Sequence, residues 1–241
     1  MIKAITFDFW QTLYADAPEL NDRRSALRTS FCDKFLTEHG YSCSAEDIVI
    51  GFEAAYAHVH ELWYEHRGVP VSECMLRLTE TLQIHLDAYE IESLIEAVGT
   101  AFFEAPPILV PYAKAVLARL AAKYQLAVIS DAGLTPGRLL RRLMEQDGIL
   151  DYFTVQTFSD ETPHTKPEVV QFHSTLASLN VEPAEAVHVG DIVRTDIVGA
   201  KNAGMKAIRF SGVNRRAQED NLSDAMIDDY RQLEATIDKL S

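Results

Sequence analysis

Three short apolar runs in this chain each stop on a polar residue. Ile2, Ala4, Ile5 and Phe7 lead into Asp8, Leu126–Ile129 lead into Ser130, and Ala186–Val189 lead into Gly190-Asp191. Runs this short with little polar alternation suit strands buried on both faces, which is the signature of a parallel sheet. Parallel neighbours need long crossovers, usually helical, and the text between the runs supplies them. Helical spacing marks 113–123, 136–145, 168–179 and 196–203, with further strands at 153–158 and 206–210. Strand–helix alternation predicts an α/β fold, a Rossmann-like parallel sheet covered on both faces. Such sheets bind ligands at the carboxyl ends of their strands, where Asp8, Ser130 and Asp191 fall.

The first strand is cut off from the others by residues 15–106, whose texture is helical throughout. Apolar residues recur as Leu27, Phe31, Phe35, then Ile48, Phe52, Tyr56, Val59, then Leu76, Leu78, Leu82, then Ile91, Leu94, Ile95, Val98. Gly40, Gly68 and Ala105-Pro106-Pro107 punctuate them, so about four helices are expected. The predicted organisation is a discontinuous core, 1–14 and 107–241, with an all-helical insert over 15–106. Glu219–Ser241, with 7 acids and 2 bases, reads as a final exposed helix.

Charge narrows the partners. The 241-residue chain has a net charge of −14, and residues 15–106 hold 17 acids against 6 bases. Nucleic-acid binding rests on many Lys and Arg contacts to phosphates, so no nucleic-acid partner is expected. No basic amphipathic helix suits an anionic membrane surface, and no apolar stretch reaches the roughly 18 residues of a span. The first residues carry no signal-peptide pattern. Three cysteines (Cys32, Cys43, Cys74) without metal-ligand spacing point to the reducing cytoplasm.

Four features carry chemistry. Asp8, just past a buried strand, can be a covalent nucleophile once its charge is neutralised and oriented, or a turn acid. Ser130-Asp131 at a strand tip suits an anion beside backbone N–H groups, or a helix cap. Lys166, before Pro167 at a helix start, can set a point charge on a phosphoryl oxygen. In Gly190-Asp191-Ile192-Val193-Arg194-Thr195-Asp196, two acids bracket a turn and can converge on a hard cation such as Mg²⁺.

In this order and spacing the four features resemble the haloacid dehalogenase superfamily, in the branch with a helical cap inserted after the first motif, the phosphoglycolate phosphatase-like and 2-haloacid dehalogenase-like enzymes. Phe158-Ser159-Asp160-Glu161 and Gly199-Ala200-Lys201-Asn202-Ala203-Gly204-Met205 add to the likeness. The resemblance implies a hydrolase in which Asp8 attacks phosphorus and forms an aspartyl phosphate that water cleaves. It implies Mg²⁺ held by Asp8, the Trp10 carbonyl, Asp191 and Asp196, phosphoryl oxygens held by Ser130 and Lys166 with Thr12 completing the cradle, and Asp131 in the same substrate site orienting substrate or Lys166. The substrate would be a small phosphorylated metabolite and the protein a monomer or homodimer.

One position departs from the phosphatase pattern. Where those enzymes carry a second Asp, which protonates the leaving group and activates water, this chain has Trp10. General acid–base catalysis contributes about 10²–10⁴-fold. A substitute from His58, His60, His66 or His164 would titrate near neutrality. The 2-haloacid dehalogenases, which work without metal, carry an aromatic residue there and present an arginine to the substrate carboxylate, with Arg23, Arg24 and Arg28 as candidates here. Two other readings thus stand beside the phosphatase: a metal-independent dehalogenase, and a metabolite-binding protein with impaired turnover. Trp63 and Tyr64 are candidates for lining the substrate's contact with the helical insert.

Overall fold

A computed structural model describes all 241 residues. Six parallel strands form one sheet: β1 (Ala4–Phe7), β4 (Gln125–Ser130), β5 (Phe153–Phe158), β6 (Ala186–Gly190), β7 (Lys206–Phe210) and β8 (Ala225–Ile227). Their order is β5-β4-β1-β6-β7-β8, so the first strand lies in the middle. Phe7 is in register with Val128 on one side and Val189 on the other. That register brings the residues after Phe7, Ile129 and Gly190 to one edge of the sheet.

Alternation along β1 sends its side chains to two different cores. Ile5 and Phe7 enter a large apolar cluster with Phe153, Ile208 and Phe210. Ala4 faces the opposite cluster, where Ala127, Ala186 and Ala207 leave room for Phe172 and Ala200. Small residues on that face let α7 (Val169–Leu179) and α8 (Val198–Asn202) approach the sheet closely, as close packing of an interior requires. The other helices of the sheet layer are α5 (Ala113–Ala121), α6 (Gly137–Gln146) and α9 (Leu233–Leu240).

Four helices stand between the first strand and the rest: α1 (Pro18–Glu38), α2 (Ala45–Tyr64), α3 (Val71–Thr81) and α4 (Ala88–Glu104). They bury a separate apolar core that includes Cys32, Phe52, Leu78 and Leu94. Reciprocal capping boxes, Ser44 with Asp47 and Asp87 with Glu90, start α2 and α4 and satisfy backbone donors that a helix leaves unpaired. The chain enters and leaves this layer through a two-stranded antiparallel ladder, β2 (Tyr14–Ala15) on β3 (Ile108–Leu109), which the sequence reading had missed.

Two expectations need correction. Along α1 the buried stripe is Arg24, Arg28, Cys32, Phe35 and Leu36, while Leu27 and Phe31 are only half-buried. The helix is rotated toward its arginines because each guanidinium finds buried acceptors. The C-terminal stretch is not one exposed helix: it holds β8, a 3-10 turn at 230–232 and α9, and Tyr230, Leu233 and Ile237 are buried. Apolar anchors at 227, 230, 233 and 237 decide the packing, and acids such as Asp220, Asp224 and Glu234 pair with Arg209, Lys201 and Arg119.

Candidate active site

Asp8, Asp191 and Asp196 meet at the carboxyl edge of the sheet, each offering a carboxylate oxygen within 4.8 Å of the others. Lys166 is buried among them. Its Nζ donates to Asp8 Oδ1 at 2.5 Å and to Asp196 Oδ1 at 2.5 Å. Ser130 Oγ donates to the same Asp8 oxygen at 3.0 Å, so the carboxylate cannot rotate while Oδ2 carries no side-chain bond. The Asp8 N–H donates to Val189 O at 2.9 Å, a consequence of the β1–β6 register.

The acid turn after β6 is held from two sides. Asp196 Oδ2 accepts the Ile192 N–H at 2.9 Å, and Asp196 Oδ1 lies 3.2 Å from His188 Nε2, whose Nδ1 lies 2.7 Å from Thr6 Oγ1. Asn214 Nδ2 donates to Asp191 Oδ2 at 2.7 Å, and Gln218 Nε2 donates to the Asp191 carbonyl at 2.9 Å. Sequence reasoning missed His188, Asn214 and Gln218. A histidine inside an otherwise apolar strand was the available signal for the first. The other two lie in an irregular loop with no periodicity to betray them.

Electrostatics follow from burial. Burial, and then the neighbouring carboxylates, push Asp191 up to about 8. Asp8 rises to about 7, chiefly through burial, with Lys166 opposing the rise. For Asp196 burial opposes, but Lys166 and His188 outweigh it and hold the acid below its usual range. Burial likewise disfavours the Lys166 cation, yet Asp196, Asp8 and Asp131 together raise it above the ordinary lysine value. Asp8, Asp191, Asp196 and Asp131 thus cluster around one lysine. An all-oxygen donor set with excess negative charge suits a hard divalent cation.

These groups open into a cavity of about 500 Å³ between the sheet edge and the four helices. Trp10 lines it, its ring edge-on to Phe9 at 5.0 Å and to Phe102 of α4 at 6.1 Å. Gln11 next to it has φ +59°, which reverses the chain toward β2. Of the histidines, only the exposed His60 reaches the cavity. His58 pairs with Glu73, and neither His66 nor His164 lines the space. Trp63 lines the cavity and the exposed Tyr64 does not. Thr12 and Ser130 are buried and do not line it, and Thr12 Oγ1 has no partner.

Two arginines of α1, Arg24 and Arg28, also line the cavity. Arg24 forks onto Asp16 at 2.9 and 3.0 Å and also donates to Ala105 O. Arg28 is 7% exposed, has no carboxylate within salt-bridge distance, and bonds only the hydroxyls of Tyr56 and Thr135. Burial lowers its pKa. Arg23 is exposed and lines nothing.

Residues 2–204 match the haloacid dehalogenase-like hydrolase family. The chain belongs to it. A glyceraldehyde 3-phosphate phosphatase of Pyrococcus abyssi is 31% identical over 87% of this chain and 82% of its own. A ribulose-1,5-bisphosphate 5-phosphatase of Halopiger xanaduensis is 29% identical over 87% of this chain and 85% of its own. Among solved structures, a 2-haloacid dehalogenase from Pseudomonas syringae superposes with a TM-score of 0.72 at 25% identity, covering 100% of both chains. This haloacid dehalogenase-like protein is therefore a hydrolase with phosphatases among its relatives, and no helix in it is long and apolar enough to cross a membrane.

Proposed function

We propose that this hydrolase is a cytoplasmic, Mg²⁺-dependent phosphatase acting on a small phosphate monoester or acyl phosphate, with residues 15–106 closing as a cap over the core of 1–14 and 107–241. The reading rests on Asp8, fixed by Ser130 and Lys166 and facing Asp191 and Asp196 across a few ångströms. A free carboxylate oxygen of Asp8 attacks phosphorus in line. The bond to the leaving oxygen breaks as the aspartyl phosphate forms, and water then cleaves the acyl phosphate to release inorganic phosphate. Lys166 and the unpartnered hydroxyl of Thr12 supply donors for phosphoryl oxygens, Ser130 joins them by turning its one O–H from Asp8 to the bound phosphoryl group, and Asp131 holds the lysine's backbone. Asp8, Asp191, Asp196 and the Trp10 carbonyl are the groups that would hold Mg²⁺, which neutralises charge on the transferring group. Positioning and charge neutralisation carry most of phosphoryl transfer.

Trp10 cannot protonate a leaving group, so alkyl esters should turn over slowly and good leaving groups should suffer less. Arg28, a buried cation without an acid, suits a substrate bearing a second anionic group, because a buried charge is costly until it is paired. Trp10 and the likeness to a 2-haloacid dehalogenase favour a second reading, metal-independent release of halide from a short haloacid. A third is a metabolite-binding protein whose turnover stalls at the phosphoenzyme.

The test is stopped-flow release of nitrophenolate from p-nitrophenyl phosphate with Mg²⁺, with Asp8→Asn and chelator as controls, beside a parallel assay of halide release from a short 2-haloacid. The expected outcome is release that vanishes in both controls. A one-equivalent burst that stalls supports the third reading, and halide release persisting in chelator supports the second. Activity surviving in Asp8→Asn removes the nucleophile assignment. A panel of esters with and without a second anion reads Arg28, and equal kcat/KM across the panel removes it from the scheme.

A further inference from the structure

Trp63, near the end of α2, touches two motif-bearing segments of the sheet layer at once. Its Nε1–H donates to Asp131 Oδ2 at 2.8 Å, while Asp131 Oδ1 accepts the backbone N–H of Lys166 at 3.1 Å. The Asp131 carboxylate thus bridges an indole from the helices and the main chain of the lysine that grips Asp8. The ring of Trp63 also lies under the Arg194 guanidinium, 3.9 Å from its centroid, and Arg194 belongs to the turn that carries Asp191 and Asp196.

The residues after Trp63 seat the same junction. His66 O accepts the N–H of Thr165, the residue before Lys166, at 3.1 Å, and Arg67 bridges His164 in antiparallel register. Gly68 is packed so tightly that a Cβ would lie 2.0 Å from Thr162 O and 2.4 Å from Ser159 O. Residues 66–68 therefore dock on the loop that delivers the lysine, through one antiparallel main-chain pairing and the close approach of Gly68. Asp131 is half-buried in the cavity wall, and its two carboxylate oxygens accept one bond from the helical layer and one from the lysine's main chain.

We propose that Trp63 is a positioning residue: by holding Asp131 it sets the backbone of Lys166, so the lysine is correctly placed only when the helical layer is seated on the sheet. The inference rests on the phosphatase reading only for its kinetic arm. Its structural arm needs no turnover at all.

That arm is hydrogen exchange followed by NMR on the full chain. The protein has two tryptophans, so the Trp63 indole N–H is identified by its loss in Trp63→Phe, which keeps a ring for Arg194 and removes the donor. In the unsubstituted protein that indole and the Lys166 amide are expected to be protected together. In Trp63→Phe, Lys166 amide exchange should speed up about 10-fold or more, the worth of one hydrogen bond to a charged acceptor, while strand amides of β4 keep their protection. Asp131→Asn, which has one accepting oxygen instead of two, should do the same. The double variant should be no worse than either single one, as expected for residues acting through one linkage. Gly68→Ala, which prevents seating without touching the indole, should also expose the Lys166 amide.

In the kinetic arm, kcat on p-nitrophenyl phosphate should fall in Trp63→Phe with KM little changed. A freely exchanging Trp63 indole in the unsubstituted protein overturns the proposal. So does a Lys166 amide unaffected in both Trp63→Phe and Asp131→Asn, or effects of the two that multiply. Absent phosphatase activity with linked protection would sink the proposed function and leave this inference standing.

Discussion

Trp10 is the residue on which the chemistry turns. It follows Asp8 by two positions and forms part of the cavity wall, packed against Phe9 and Phe102. An indole there can donate a hydrogen bond through Nε1–H but cannot give up that proton to a leaving group. Trp10→Asp is expected to raise kcat on an alkyl phosphate by about 10-fold or more, since positioned acid–base catalysis is worth about 10²–10⁴-fold. The same change should cost stability, because a carboxylate would replace an aromatic contact with α4. Steady-state kinetics on an alkyl and an aryl ester, beside a thermal melt, check both. No gain on the alkyl ester would mean that another group already supplies the proton. The substitution was visible in the sequence, but the role of the ring as a wall was not, because Phe102 lies far along the chain.

At the scale of elements, the unit that matters is β6, the turn at 193–197 and α8. Gly190 ends β6 where a Cβ would lie 2.3 Å from Asp196 Cγ and 2.8 Å from its Oδ1. Its missing side chain is what allows Asp196 to fold back and hold Lys166. Gly190→Ala should displace Asp196, lower kcat by about 100-fold through loss of a buried charge contact, and destabilise by roughly 1–3 kcal/mol through overpacking. Kinetics and denaturant unfolding measure the two effects, and an unchanged kcat would show that Asp196 can move without consequence. The strand, the glycine and both acids were legible as a motif. Its supports at His188, Asn214 and Gln218 were not, since a strand histidine has no spacing rule and a loop amide has no pattern.

Over the whole molecule the acids outnumber the bases by enough to leave a net charge of −14, and the cavity lies between the acidic helical layer and the sheet. Like charge slows the approach of an anionic ester, and salt relieves it as the screening length shortens from about 30 Å at 0.01 M to about 8 Å at 0.15 M. Accordingly, kcat/KM for a dianionic ester should rise several-fold over that range, with kcat nearly constant. A fall would mean that the arginines lining the cavity, Arg28 above all, govern the encounter instead.

What the amino-acid sequence determined by itself is local or periodic. Buried strand runs place Asp8, Ser130 and Asp191 at strand ends, helical spacing marks the insert, and parallel pairing then forces those ends to one edge. Rotation of α1 onto Arg24 and Arg28, the burial of Tyr230 and Leu233, and the Trp63–Asp131–Lys166 linkage were decided only in the tertiary structure. Each depends on partners distant in sequence, for which chain order carries no period, and burial selects among faces that the pattern alone leaves equivalent.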